Sequence, residues 1–373
     1  MGDNGRKLVL QTLNGSATPR IPVAPINWGF DYIWKVAGIQ PWQLAFGTAE
    51  TWHAAHIAYL NRHDPDAIYY SGSGGPNQPQ LIEEDENRWV VKDGNSGAVY
   101  DMRKDSLSIH GHGGGNRCDP VENVPTRDNL DRLIPAESNG WGDAHLNGLS
   151  RLIADAGDRA LILPHPSPAY IITCYTIGFY TAMELMLSDP ELFHYGCRRM
   201  QTGEKRLMRE LREAGAEAVC ITDSWASCDV LSPKMVEEFA LPYQHSITAA
   251  AREAGLKTII WNCGNILPML EAQAAVPSDG FIFEQPRKGA DITVDKIRKV
   301  YGPKRCLFGN LDAELLLMRN DPEEIAAAVR EQVRLSGPGA PFVLSTGSPL
   351  PSNISAEAVD AIFNAARALP RLS

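Results

Sequence analysis

Polar side chains that can do chemistry recur in this sequence at one kind of place, just after a short apolar run. Asn27, Trp28, Phe30 and Asp31 follow residues 21–26, and Ser71 and Gly72 follow 67–70. His165 comes after 159–163, in LPHPSPAY, and Asp223 and Trp225 follow 217–221, in ITDSWASCD. Asn262 and Cys263 follow 257–261, Glu284 and Gln285 follow 280–283, and Asn310 and Asp312 follow 305–308. Ser345, Thr346 and Ser348 come after 342–344. Carboxylates, amides and imidazoles of this kind suit proton transfer, metal contacts or hydrogen bonds to a polar ligand. Trp28, Phe30, Tyr170 and Trp225 could line a pocket for an apolar or planar ligand. Lysine and arginine are scarce at these positions. A heavily phosphorylated or polycarboxylated ligand would need help from loop residues such as Arg117 or Arg287.

Each candidate has a plainer reading beside it. Asp223 could be a loop or capping aspartate, and Cys263 an inert buried thiol. His165 could serve a structural hydrogen bond, and Asn310 could hold the backbone of the next loop. His110 and His112, two apart in the glycine-rich HGHGGG, point to one side if extended. They could bind metal or substrate, or belong to a solvated loop. A carboxylate such as Glu284 after an apolar run needs a partner or water, which favours function.

The elements that position these residues alternate. Eight short apolar runs are separated mostly by helical patterns, at about 41–62, 176–187, 190–215, 233–254, 266–275, 291–300, 322–335 and 356–369. Strands alternating with helices imply a parallel sheet, and eight such strands close a (β/α)8 TIM barrel whose chemistry sits at the C-terminal strand ends. The rhythm breaks after the second strand. Residues 81–118 alternate charged and apolar groups around Asp93-Gly94 and Asn95-Ser96-Gly97, which predicts an inserted β-hairpin region within a single domain spanning 1–373.

Composition narrows the classes further. The 373 residues are 44% hydrophobic and 21% charged, enough apolar content for a sizeable core. The formal charge of −10 and the lack of a basic patch argue against nucleic acid as a partner. No run of 18 apolar residues predicts a membrane span, and the N-terminus has no secretory apolar region. Seven cysteines, an odd number without CxxC, predict free thiols and a cytoplasmic location. No HExxH, GxSxG, GxxxxGK[ST] or strand-linked GxGxxG is present.

Three segments carry a family resemblance, in order and with matching spacing. IIWNCGNILPMLEAQAAVPSDGFIFEQ is similar to a strand ending in HxCGN, followed by a helix and an acidic strand end. FGNLDAELLLMRNDPEEIAAAVREQV and FVLSTGSPLPSNISAEAVDAIFNAAR are similar to the two closing stretches of the same pattern. The chain therefore resembles the uroporphyrinogen decarboxylase superfamily, which includes corrinoid-linked methyltransferases, over nearly its whole length.

The resemblance implies two enzyme readings. Zinc-dependent thiol methyltransferases of the family use the His and Cys of HxC and a later Cys, which fall here on Trp261, Cys263 and Ser348. That set leaves no zinc expected at the usual position, unless Glu284 and a histidine such as His165 or His112 were recruited. Decarboxylases of the family carry an arginine-rich RQAGRY-like stretch and an aspartate facing the pyrrole nitrogens. The matching INWGFDYIW has Asp31 but no arginine. The main expectation is accordingly a methyltransferase. It would move a methyl group from a small aromatic or apolar substrate to a corrinoid on a separate carrier protein. Glu284 and Asp223 would assist the leaving group, and His165 would tune them. Asn27, Trp28, Phe30, Trp225, Asn262, Cys263, Asn310, His110 and His112 would contact substrate. The alternative is a cofactor-independent decarboxylase in which Asp31 places the ring. A homodimer is the expected assembly.

Overall fold

The computed structural model describes residues 4–72, 74–111, 126–135, 140–286 and 289–369. Its architecture is α/β, with parallel and antiparallel sheets. The strands are β1 (Ala67–Tyr70), β2 (Gln80–Glu84), β3 (Arg88–Lys92), β4 (Val99–Arg103), β5 (Ile109–Gly111) and β6 (Leu161–Pro164). They continue with β7 (Ala218–Asp223), β8 (Lys257–Asn262), β9 (Gly280–Phe283), β10 (Cys306–Leu311) and β11 (Phe342–Thr346). Strands β7 to β11 lie side by side in chain order as a parallel sheet, and β1 pairs in parallel with β6. Strands β2 to β5 form a separate antiparallel meander, with its own apolar cluster of Phe46, Trp89, Val91, Met102 and Leu107.

The first expected strand, 21–26, is not a ladder strand. Pro22 and Pro25 lack the N–H that pairing needs, so only Val23 makes a bridge, to Leu344. The segment is nevertheless extended between two sheets. Ala24 N donates to Leu344 O and Leu344 N to Pro22 O, both at 2.8 Å. On the other side Asp66 N donates to Val23 O at 2.9 Å. Asp66 in turn takes both arms of Arg20 (2.6 and 2.7 Å) and Val23 N–H (2.7 Å). Between β6 and β7, Thr222 N donates to Pro166 O at 3.1 Å.

Side chains alternate along the parallel strands. One set, including Ala24, Ile26, Ala67, Tyr69, Leu161, Leu163, Ala218, Cys220, Ile259, Trp261, Ile282, Phe308 and Val343, forms a single inner cluster. Val9 and Leu13 of the helix Gly5–Leu13 join it. That helix starts under an Asn4 cap, and Gly5 allows close approach, since a Cβ there would lie 2.2 Å from Arg159 O. The opposite set, such as Ile68, Ile162, Val219, Ile221, Ile260, Phe281, Leu307 and Leu344, packs against the helices.

Several helices depart from expectation. The stretch expected as 176–187 is two helices, Ala169–Ile177 and Phe179–Ser188, bent by 112° at Gly178. Helix 190–215 breaks at Gly203, and 233–254 contains a wider turn at Val236–Ala240 just before Pro242. Among the described residues no single helix is long and apolar enough to cross a membrane. The six described cysteines are free, while Cys118, His112, Arg117 and Arg287 lie outside the described residues.

Candidate active site

The turn after the extended segment 22–27 brings together the chemistry at one end of the parallel strands. Asn27 is its anchor, because its amide donates to Tyr69 O (3.2 Å) and accepts from Tyr69 N (2.9 Å). That use of both amide atoms makes Asn27 a frame residue rather than a ligand contact. Gly29 takes a positive φ of 73°, which suits glycine, and its N–H donates to Ser71 Oγ at 3.0 Å. Asp31 folds back over this glycine, so that a Cβ at 29 would lie 3.9 Å from Asp31 Oδ2. Asp31 is half-buried, makes no side-chain hydrogen bond or ion pair to the described residues, and burial raises its pKa.

Ser71 links this turn to His165, whose Nε2 lies 3.2 Å from Ser71 Oγ. Burial, with a smaller contribution from the neighbouring His145, lowers His165 to about 4, so the ring is neutral at neutral pH. Because Gly29 N–H already donates to Ser71, the serine's own hydrogen is available to Nε2. Around this pair rings gather, edge to face except for the tilted pair Trp141 and His145. Trp28 lies 5.4 Å from both His165 and Trp261, and Trp141 lies 6.4 Å from His165 and 4.0 Å from His145. Trp28 and Cys263 both pack on the inner cluster around Trp261.

Glu284 occupies the other side. Its carboxylate accepts from Ser348 Oγ, from Gln285 N at 3.2 Å and from Gly264 N at 3.4 Å. It is 2% exposed, and it clasps the turn after β8 to the turn after β11. Asn310 carries the plainer role, donating to Glu284 O (2.9 Å) and Ile292 O (2.7 Å).

Other expected site residues lie elsewhere. Asp223 and Asn262 are fully buried and point into the helix layer. Gln244 donates to Asp223 Oδ2 at 2.9 Å, Gln273 to Gln244 at 2.8 Å, and Asn262 to Gln273 at 3.1 Å. Burial raises Asp223 to about 7, against the opposing hydrogen bond from Gln244. A carboxyl so enclosed is a structural group, not one that reaches a leaving group at the strand ends. Trp225 sits at the rim with Tyr175 (4.7 Å) and Phe179 (4.9 Å). Phe30 packs toward the antiparallel meander, and His110 lies on β5, with Nε2 3.1 Å from Ser108 Oγ. The sequence reading missed Trp141 and His145. They open the helix Asp143–Ala156, whose Leu146, Leu149, Leu152 and Ile153 spacing was a helical signal.

The zinc positions implied by resemblance do not make a donor set. Trp261 is 1% exposed with its Nε1 lacking an acceptor, and the Ser348 hydroxyl is committed to Glu284. Among the described residues no group of three or more His, Cys, Asp or Glu could hold a metal ion.

The family model for Uroporphyrinogen decarboxylase (URO-D) matches residues 118–369. The chain belongs to this family. It is 25% identical over 237 residues to the chloroplastic uroporphyrinogen decarboxylase of Nicotiana tabacum, covering 59% of this chain and 55% of the tobacco protein. To the uroporphyrinogen decarboxylase of Anaeromyxobacter dehalogenans it is 26% identical over 265 residues, 69% of this chain and 72% of that one. In structure it is similar to a methyltransferase from Methanosarcina mazei, with a TM-score of 0.71 at 18% identity and 98% of each chain covered. At that identity the likeness is one of fold, which decarboxylase and methyltransferase relatives share.

These findings correct the main functional expectation. The family model and most of the curated relatives carry the decarboxylase name, so methyl transfer to a corrinoid gives way to the decarboxylase alternative. One relative of this URO-D family member carries a corrinoid name, the Methylcobamide:CoM methyltransferase MtbA of Methanosarcina acetivorans, 29% identical over 140 residues, 36% of this chain and 40% of that one.

Proposed function

We propose that this chain is a cofactor-independent carboxy-lyase of the uroporphyrinogen decarboxylase type, acting on a small molecule whose departing carboxylate sits on a side chain of a ring that can take up charge. The observation that carries the proposal is Asp31, a half-buried carboxyl with its pKa raised by burial, at the place where the resemblance puts the family's aspartate. In the reaction the bond between carbon and carboxylate breaks, its electron pair passes into the ring system, and carbon dioxide leaves. A proton then adds to the carbon. Asp31 holds and orients the ring that takes up charge, and burial raises its pKa above the ordinary aspartate value. Neutral His165, bonded to Ser71, borders the site without adding charge to it. Trp28 and Trp141 form the wall beside them.

We also propose that segment 22–27 and the seven parallel strands close into a (β/α)8 barrel forming one domain over 1–373. The bonds from Pro22 and Ala24 to Leu344, from Val23 to Asp66, and from Thr222 to Pro166 support closure. The inner cluster supports it too.

The test is carbon dioxide release from uroporphyrinogen under reducing conditions. Release that is lost in Asp31→Asn supports the reading. Neither release nor binding of that ligand by folded protein would end it.

A further inference from the structure

Tyr32 directly follows Asp31, but its ring turns away from the mouth into the core, where it is 1% exposed. Its hydroxyl lies 2.8 Å from His63 Nε2. His63, also 1% exposed, is the last residue of the helix Ala49–His63. Its Nδ1 lies 2.7 Å from Asp360 Oδ1, on the helix Ala356–Arg367. The imidazole stacks on Phe363 of that same helix, centroids 5.5 Å apart and planes 13° from parallel. Arg62 holds the other oxygen of Asp360 at 2.9 Å, and Arg367 donates to His63 O at 2.8 Å.

Chemistry orders the hydrogens along this line. An ionised carboxylate only accepts, so the nitrogen facing Asp360 carries the ring hydrogen, and Nε2 is left to accept from the Tyr32 hydroxyl. Burial lowers His63 to about 4, which keeps the ring neutral, and burial also drives the Tyr32 phenol upward. The arrangement gives the buried Tyr32 hydroxyl a partner and sets the neutral imidazole beside Asp360 without burying an unpaired charge.

Its place in the chain gives it a second consequence. The turn that carries Trp28 and Asp31 is fastened inward through Gly29 to Ser71 and through Asn27 to Tyr69. Immediately beyond Asp31 it is fastened outward through Tyr32 to His63. Asp31 thus sits between two fastenings, one on the parallel strands and one on the last helix. A shift of about 1 Å in a reacting group is enough to cost much of a rate.

We propose that His63, bridging Tyr32 and Asp360, is a positioning residue for Asp31 and makes the last helix part of the active-site framework. The proposal rests on Asp31 being the acting carboxyl.

The test uses the full chain and a readout that needs no substrate. Aspartate labelled with 13C in its carboxyl carbon is incorporated, the Asp31 signal is assigned by its loss in Asp31→Asn, and it is titrated by NMR. In the native chain Asp31 titrates above the ordinary aspartate range. His63→Phe keeps a ring on Phe363 but breaks both polar contacts. It should move Asp31 toward the ordinary aspartate value, a change in its acid equilibrium that the titration reads directly. His63→Gln, which offers an acceptor and a donor, should recover at least half of that shift. With uroporphyrinogen as substrate, His63→Phe should lower kcat about tenfold and leave KM within about twofold. An unchanged Asp31 titration in folded His63→Phe would overturn the proposal. So would a shift that His63→Gln does not recover, since that would mark a packing effect. If His63→Phe fails to fold, Tyr32→Phe removes one hydroxyl and carries the same expectation. If the titration shifts as expected while the native chain releases no carbon dioxide, the decarboxylase reading fails and the positioning role stands.

Discussion

Two aspartates at strand ends are pushed in the same direction by burial yet stand on opposite sides of the strand layer. Asp31 is at the mouth, and Asp223 is among the helices. Sequence could not separate them. Parallel strands buried on both faces are apolar throughout, so AVCITD gives no sign of which way its last residue points. Cys263, one residue past β8, falls on the inner side, while Asn262 falls on the outer. For Asp31→Asn we expect carbon dioxide release to fall by about 10²-fold or more, with the fold retained by circular dichroism. Asp223 makes a different prediction. Its folded value is about 7 against an ordinary 3.8, so the folded protein holds a proton there that the unfolded chain releases above pH 4. Stability from this group therefore falls as pH rises from about 4 to about 7, and then levels off. Glu204, 1% exposed and raised by burial to about 7, acts in the same sense. Urea melts at pH 5 and pH 8 should show the native chain weaker at pH 8. Asp223→Asn should shrink that difference, and adding Glu204→Gln should nearly remove it. A native chain equally stable at both values would contradict the placement.

The elements were more legible than the orientations. Strand positions from 67 onward and the helices from 322 onward follow the hydrophobic pattern to within a few residues. The pattern failed where backbone chemistry overrode it. IPVAPIN is apolar enough for a strand, but two prolines leave hydrogen bonding to Val23, Ala24 and the Asn27 side chain. Asn27 replaces the missing backbone partner of Tyr69 on both its N–H and its C=O. Asn27→Ala should therefore strand two buried polar groups and cost on the order of 1–3 kcal/mol for each. Chemical denaturation would measure this, and a loss below about 0.5 kcal/mol would mean the segment is held by other bonds. The helix Asp143–Ala156 was legible in principle. It was missed because its neighbours around 112–125 carry no hydrophobic period to frame it.

At the scale of the whole molecule, the α/β class was readable from alternating strands and helices and the family from three ordered segments, and the reaction was not. Residues at strand ends of one architecture serve several chemistries, so a mouth rich in carboxylates and aromatics did not choose between methyl transfer and decarboxylation. The architecture makes its own prediction. Val9 and Leu13 close one end of the inner cluster, so Leu13→Ala should cost about 2–5 kcal/mol through the cavity it leaves, and leave the Asp31 titration untouched. Thermal melts and the same NMR signal would check both halves. The line of rings from Trp261 through Trp28 to His165 has an optical consequence. Trp261 is buried and its indole N–H has no acceptor among the described residues, whereas Trp28 is half open to water. The two indoles should therefore emit at different wavelengths while lying close enough to exchange excitation. An occupant of the mouth must cover Trp28 first. The protein thus carries its own fluorescent reporter of binding, and Trp28→Phe would silence its water-exposed half.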